Sequence, residues 1–278
     1  TLSLHDALPI SGAFGDFQDE TLEGTFVLVL DEAGDLVWAR SSGARSFTWP
    51  NAVAVDPTRA IVMVGSYDGA PDLGGGPLPA ASGTGGFAVR YDLEGAHEWT
   101  FGLQADGYHA AALGPDGMTY LVGGYVYGEL EPELGTASIH VVAVEPDGNV
   151  AWMLPASGAW TSDPISLVYL DHAGPAEADE LVLVAIVGGV DAMLGDLPTP
   201  TTHYEAVAVR IGLDGTPLGY EPLLDPPPPS YDVRAVARPG GLSAAVAVWL
   251  DDDHDQGSGI LLTARDETLA PVSESFLG

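Results

Sequence analysis

A short apolar run, a turn of Asp and Gly, and a closing aromatic recur along the chain, and a chain that repeats in this way must stack like units on one another. The first copy reads Gly24-Thr-Phe-Val-Leu-Val-Leu-Asp31-Glu-Ala-Gly34-Asp-Leu-Val-Trp38. The second reads Gly86-Phe-Ala-Val-Arg-Tyr-Asp92-Leu-Glu-Gly95-Ala-His-Glu-Trp99. A third runs from Ile139 through Asp147-Gly148 to Trp152, and a fourth from Ala206 through Asp214-Gly215 to Tyr220. A degenerate fifth opens at Gly259 and reaches Asp266. A spacing of roughly 50 to 70 residues is that of supersecondary units that cannot bury their own apolar faces.

Each unit reads as four short strands. The first, such as residues 87–91, is β-branched or aromatic, and an Asp-Gly turn reverses it into the second, which carries the Trp. Third strands are expected at 52–56, 110–113 and 232–237, and fourth strands at 61–67, 119–126, 181–187 and 244–250. Helical periodicity is absent, so the expected fold is all-β. It is a β-propeller of four-stranded antiparallel blades, about four and a half of them, in an incomplete fragment. The blade units are read at 24–85, 86–137, 138–203, 204–257 and, in part, 258–278, with 11–23 as the tail of a preceding blade. Trp38, Trp99 and Trp152 are assigned to packing between blades, because the same position recurs.

Residues 1–10 (TLSLHDALPI) match the translation of a sequencing adapter and are set aside from fold reasoning. The natural start is therefore expected to lie upstream, with any signal peptide. The longest apolar run, 181–190, has ten residues, short of the roughly 20 that span a bilayer as a helix. Forty acidic residues stand against eight basic ones, all Arg, for a net charge of −32. Such a field repels phosphate backbones, so no nucleic-acid partner is expected. There is no Cys, which removes disulfides and thiolate metal sites.

Chemistry-bearing motifs are few. Asp251, Asp253 and Asp255 alternate in Asp-Asp-Asp-His-Asp-Gln-Gly, as in acidic loops that turn oxygens toward Ca2+. The Gly falls seventh and no Glu holds the twelfth place, so the loop is not an EF-hand. Asp68, Asp72 and Asp106 are weaker candidates. His97, His109, His140, His172, His203 and His254 show no zinc-enzyme spacing. Gly83-Thr-Gly85-Gly imitates a dinucleotide fingerprint but precedes a strand, so no helix N-terminus would hold a pyrophosphate. No catalytic or cofactor-binding residue is assigned.

From Phe26 to Leu78 the order is strand, Asp-x-x-Gly, strand with Trp, Ala54-Val55-Asp56-Pro57, a strand ending Val64-Gly65-Ser66-Tyr67, then Asp72-Leu-Gly-Gly-Gly-Pro-Leu78. This resembles bacterial seven-bladed-propeller-type (SBBP-like) repeat proteins, found among secreted and surface proteins of myxobacteria and their relatives. The resemblance is close over 24–103, looser to 152 and poor beyond 200. It implies an extracellular, periplasmic or cell-surface propeller without assigned catalysis. The expected role is a non-catalytic module for protein or polysaccharide interaction or surface scaffolding, with loops 68–85, 171–180 and 251–257 as its binding face. The alternative is a propeller enzyme, glycan-active or quinone-dependent, with carboxylates lining a central funnel.

The acidic loop predicts stabilisation by calcium. Thermal melts should give a higher midpoint with calcium than with chelator, and equal midpoints would refute it.

Overall fold

The computed structural model describes residues 2–3, 25–42, 47–56, 58–81, 83–103, 107–124, 139–171, 179–199, 204–223, 230–238, 241–249, 258–266 and 268–277. Among these the fold is all-β and without helix. The chain forms two compact units, Thr1–Gly123 with Val144–Val150, and Gly124–Ala143 with Ala151–Gly278.

The first unit opens with β1 (Leu2–Ser3), β2 (Phe26–Leu30) and β3 (Leu36–Ser41) in one sheet. Leu2 and Ser3, within the segment set aside as adapter-derived, pair with Val29 and Leu28. A four-stranded antiparallel meander follows: β4 (Phe47–Asp56), β5 (Ala60–Asp68), β6 (Gly85–Asp92) and β7 (His97–Leu103). A hairpin of β8 (Tyr108–Leu113) and β9 (Thr119–Gly123) completes it. The second unit contains β10 (Ile139–Val144), β11 (Val150–Leu170), β12 (Glu180–Leu194), β13 (Leu197–Pro198), β14 (Glu205–Gly212) and β15 (Pro217–Pro222). Its last sheet is the meander β16 (Ser230–Arg238), β17 (Gly241–Trp249), β18 (Ser258–Arg265) and β19 (Pro271–Leu277). These are blades of the propeller type, four antiparallel strands joined by short reversals.

Each four-stranded sheet runs half a repeat out of phase with the sequence units. β4 and β5 come from the span 24–85, whereas β6 and β7 fall essentially in 86–137, so one repeat contributes strands to two sheets. β11 is the exception. It continues for 21 residues through irregularities at Ser157/Ala159 and Trp160/Ile165, joining the strand of Trp152 to the strand that pairs with β12.

The first-to-second-strand reversals share one geometry. The amide of the first turn residue donates to the carbonyl of the fifth, and that of the fourth donates back to the first: Asp31/Asp35/Gly34, Asp92/Ala96/Gly95, Glu145/Asn149/Gly148 and Gly212/Thr216/Gly215. The fourth residue has positive φ, from 80° to 90° in these glycines, which L side chains rarely adopt.

The Trp of the preceding repeat closes over this glycine. A Cβ on Gly95 would lie 2.6 Å from the Trp38 ring, one on Gly148 2.9 Å from Trp99, and one on Gly215 2.8 Å from Trp152. Trp38 Nε1 donates to Leu93 O at 2.8 Å and Trp152 Nε1 to Leu213 O at 2.8 Å. The fourth aromatic does not repeat this. Register places Gly219 opposite Arg210, as Trp99 lies opposite Arg90, so Tyr220 sits one residue out of phase and on the other face. In the turn that follows, Asp266 to Ala270, Leu269 holds the glycine position at φ 64° and is buried. The large residue has moved from strand to turn.

Between sheets the contacts are aliphatic and aromatic. Val27 and Trp38 pack with Ile61, Met63, Tyr67, Phe87, Val89 and Tyr91 in the first unit. In the second, Val182, Val184, Ile186, Ala206 and Ala208 meet Val233, Leu242, Ala244 and Val246. Burying each large side chain contributes about 1.5–3 kcal/mol. Residues 60–64 (Ala-Ile-Val-Met-Val) are buried at every position, as expected of a strand covered on both faces. At the place held by Ala88 (0% exposed) and Ala208 (1%), four residues before the turn, the last sheet carries Leu262 at 41%, with Ile260 beside it at 45%.

Two glycine substitutions separate backbone strain from Trp packing. Gly34→Ala, whose Cβ meets nothing within 4 Å, should cost about 1 kcal/mol. Gly95→Ala must also displace Trp38 and should cost roughly 3 kcal/mol. Urea denaturation measures both, and equal losses would show that the indole contact contributes nothing.

Candidate functional site

The β5–β6 connection, 69–84, is built as a pinned loop. Asp72 Oδ1 accepts from the amides of Gly74 (2.8 Å) and Gly76 (3.0 Å), and Asp72 bridges Pro77. Leu78 N donates to Pro71 O at 2.8 Å, while Leu73 and Leu78 are buried. Tyr67 Oη donates to Pro79 O (3.0 Å) and Tyr91 Oη to Leu73 O (2.7 Å). Burial pushes both phenols up, keeping them protonated as donors. The His97 ring lies against Gly74 and Gly75, so a side chain at Gly75 would overlap it; its Nε2 meets Thr100 Oγ1 at 2.7 Å. Gly74 and Gly75 therefore serve close approach between loop and strand.

Beside this loop stands an exposed aromatic pair. Phe47 is 71% exposed and Trp49 46%, with ring centroids 6.1 Å apart and planes within 15° of parallel. They are i, i+2 on β4, the edge of its sheet, and so share a face. The register pairs Phe47 with Asp68 and Trp49 with Ser66, which brings Asp68, exposed at the loop's start, onto that face. Trp38, Trp99, Trp160, Phe26, Phe87, Tyr67, Tyr91, Tyr108 and Tyr120 are all buried. An exposed Phe-Trp pair is thus unlike most of the described aromatics.

Asp251, Asp253 and Asp255, with His254, His172, His203 and Asp106, lie outside the described residues. Among the described residues no three His, Asp or Glu side chains are grouped as a metal site. Asp72 is committed to its loop and Asp68 stands apart from it. His140 is buried, its Nδ1 3.0 Å from Gly124 O, a packing position. The turn carboxylates have a common task. Asp31, Asp92 and Asp266, at the first turn position, and Asp116, Asp147 and Asp214, at the third, all accept from the amide of the fifth residue. Either place reaches the same donor, and the carboxylate serves backbone geometry.

The arginines are likewise engaged. Arg90 pairs with Glu98 at 2.5 Å and donates to Gly117 O, linking β6 to the β8–β9 turn. Arg210 grips the buried Glu180 at 2.8 Å, and Arg265 pairs with Glu274 at 3.2 Å and donates to Leu223 O. Arg59 and Arg234 meet Asp56 and Asp232, and Arg40 lies over the Trp38 ring at 5.9 Å.

The aromatic pair was missed in the sequence because it precedes the third strand, outside the repeated pattern. The signal is Phe47-Thr-Trp49-Pro50, two aromatics at strand spacing before a proline that suits an edge.

No protein-family model matches the chain. Regulatory protein FlaEY of Caulobacter vibrioides is 30% identical over 176 residues, which is 61% of this chain and 17% of that protein. The chain thus spans less than a fifth of that relative's length. Among solved structures, the Dos1 propeller aligns with TM-score 0.42 and 10% identity over 84% of this chain and 64% of that one. Rhamnogalacturonan lyase PL11 of Bacillus licheniformis aligns with TM-score 0.33 and 11% identity over 81% and 51%.

The capping hydrogen bonds from Thr216 hold the Asp214 carboxyl below its ordinary value of 3.8. A depressed pKa contributes stability above the unfolded value and loses it as pH falls through the folded one. Asp214→Asn keeps an acceptor oxygen but removes the titration. The stability difference between wild type and variant should stay constant above about pH 5 and shrink below 3.8; a difference flat through pH 2 to 5 would refute it.

Proposed function

We propose that the chain is a non-catalytic, extracytoplasmic propeller-repeat module that binds a protein or glycan partner at the loop end of the β4–β7 sheet. The exposed Phe47–Trp49 pair carries this reading. Aromatic side chains dominate binding energy at interfaces, and these two lie on an edge strand beside a loop held rigid by its own hydrogen bonds. A rigid platform loses little entropy on binding. The FlaEY relative, a regulatory protein, agrees with an interaction role. The surface resemblance of residues 24–103 supports the extracytoplasmic placement, and the alternating Asp251, Asp253 and Asp255 support calcium as a stabiliser of the chain.

The test uses the immobilised chain against soluble neutral polysaccharides and a peptide array. Trp49→Ala and Phe47→Ala should leave the melting temperature near that of wild type, since both side chains are exposed, while weakening the captured ligand about tenfold or more. Retained affinity in both variants would reject this face as the binding surface.

A further inference from the structure

We infer that Phe47, Trp49 and Asp68 form a receptor for a basic side chain, an Arg guanidinium first of all, carried by a protein partner. This rests on the binding-module reading above and specifies its partner.

Three observations converge on it. The β4–β5 register sets Phe47 opposite Asp68 and Trp49 opposite Ser66, so two aromatic rings and one exposed carboxylate share a face. Electron-rich ring faces attract cations, Trp most strongly, and a guanidinium can stack on a ring while its fork binds a carboxylate. The protein uses the same chemistry internally, where Arg40 lies over the Trp38 ring at 5.9 Å.

The second observation is what the chain lacks. It has eight arginines and no lysine. Six of those arginines have described side chains, and all six are committed: Arg40 to Trp38, Arg59 to Asp56, Arg90 to Glu98, Arg210 to Glu180, Arg234 to Asp232 and Arg265 to Glu274. Asp68 has no ion pair among the described residues. An unmatched carboxylate beside exposed aromatics is a half-made site that a cation completes.

Third, the long-range field favours that partner. A net charge of −32 draws a basic segment in and repels anionic glycans and nucleic acid. A neutral sugar would cover the rings but leave Asp68 uncompensated, so the basic protein segment fits best.

Calorimetric titration tests this with acetyl-Gly-Arg-Gly-Arg-Gly-amide and its citrulline counterpart, which has the same shape without charge. At about 0.15 M salt, where surface charges beyond roughly 8 Å are screened, the Arg peptide should bind at least about fivefold more tightly than the citrulline peptide. Trp49→Ala and Phe47→Ala should each weaken it about fivefold or more, and Asp68→Asn a few-fold. Glu94→Gln, an exposed carboxylate on a distant turn, should change nothing. Failure of the Arg peptide to bind, equal binding of the citrulline peptide, or equal losses at Glu94 and Asp68 would overturn the cation receptor. If a neutral polysaccharide or the citrulline peptide binds in a Trp49-dependent way, the binding face survives and the basic partner is rejected. If no ligand depends on Trp49, both fall.

Discussion

The contact on which the rest of this architecture depends is an indole laid over a glycine in a left-handed turn. A four-stranded sheet is apolar on two faces and must be held at a fixed distance and angle from its neighbour. Trp38 on Gly95, Trp99 on Gly148 and Trp152 on Gly215 provide that location, because a flat ring seats closely only where the opposing residue has no Cβ. The same glycine is needed by the turn for its positive φ, so one residue satisfies two requirements. In two of the three cases the indole nitrogen adds a hydrogen bond to the turn's second carbonyl. Where the Trp is lost, at Gly219, the turn that follows replaces glycine with a buried Leu269, which keeps the left-handed φ at a steric cost.

Charge is organised around the same turns. A chain with five times as many acidic as basic residues can fold because many carboxylates cap backbone amides at exposed reversals, where solvent screens their repulsion. Two of the scarce arginines go to the opposite environment. Arg90 and Arg265 are buried, neutralised by Glu98 and Glu274, and reach backbone carbonyls of adjacent sheets. The described arginines are thus all engaged within the chain. Asp68, facing Phe47, is set beside exposed aromatic surface.

The repeat, the strand count per unit, the Asp-Gly reversals and the packing role of the tryptophans were legible in the sequence, since each follows from local periodicity or turn chemistry. Legibility failed where one residue of register matters. Tyr220 reads as the fourth closing aromatic by its spacing, yet the pairing of Arg210 with Gly219 turns it to the other face. The exposed aromatic pair was illegible for a different reason. Phe47 and Trp49 look like any apolar pair entering a strand, and nothing local reports that their rings stay exposed.

Taken alone, the amino-acid order determined the blade: four short antiparallel strands, glycine at the first reversal of the first four units, and in three of them a Trp to close over the next unit. These are properties of contiguous residues. Only the tertiary structure decided which faces are covered, because burial depends on residues far away in the chain. It turned Ala88 and Ala208 inward while leaving Leu262 at the equivalent place in the open. It also brought Asp68 across from Phe47 through strand register, and tied three of the described arginines into pairs between neighbouring strands.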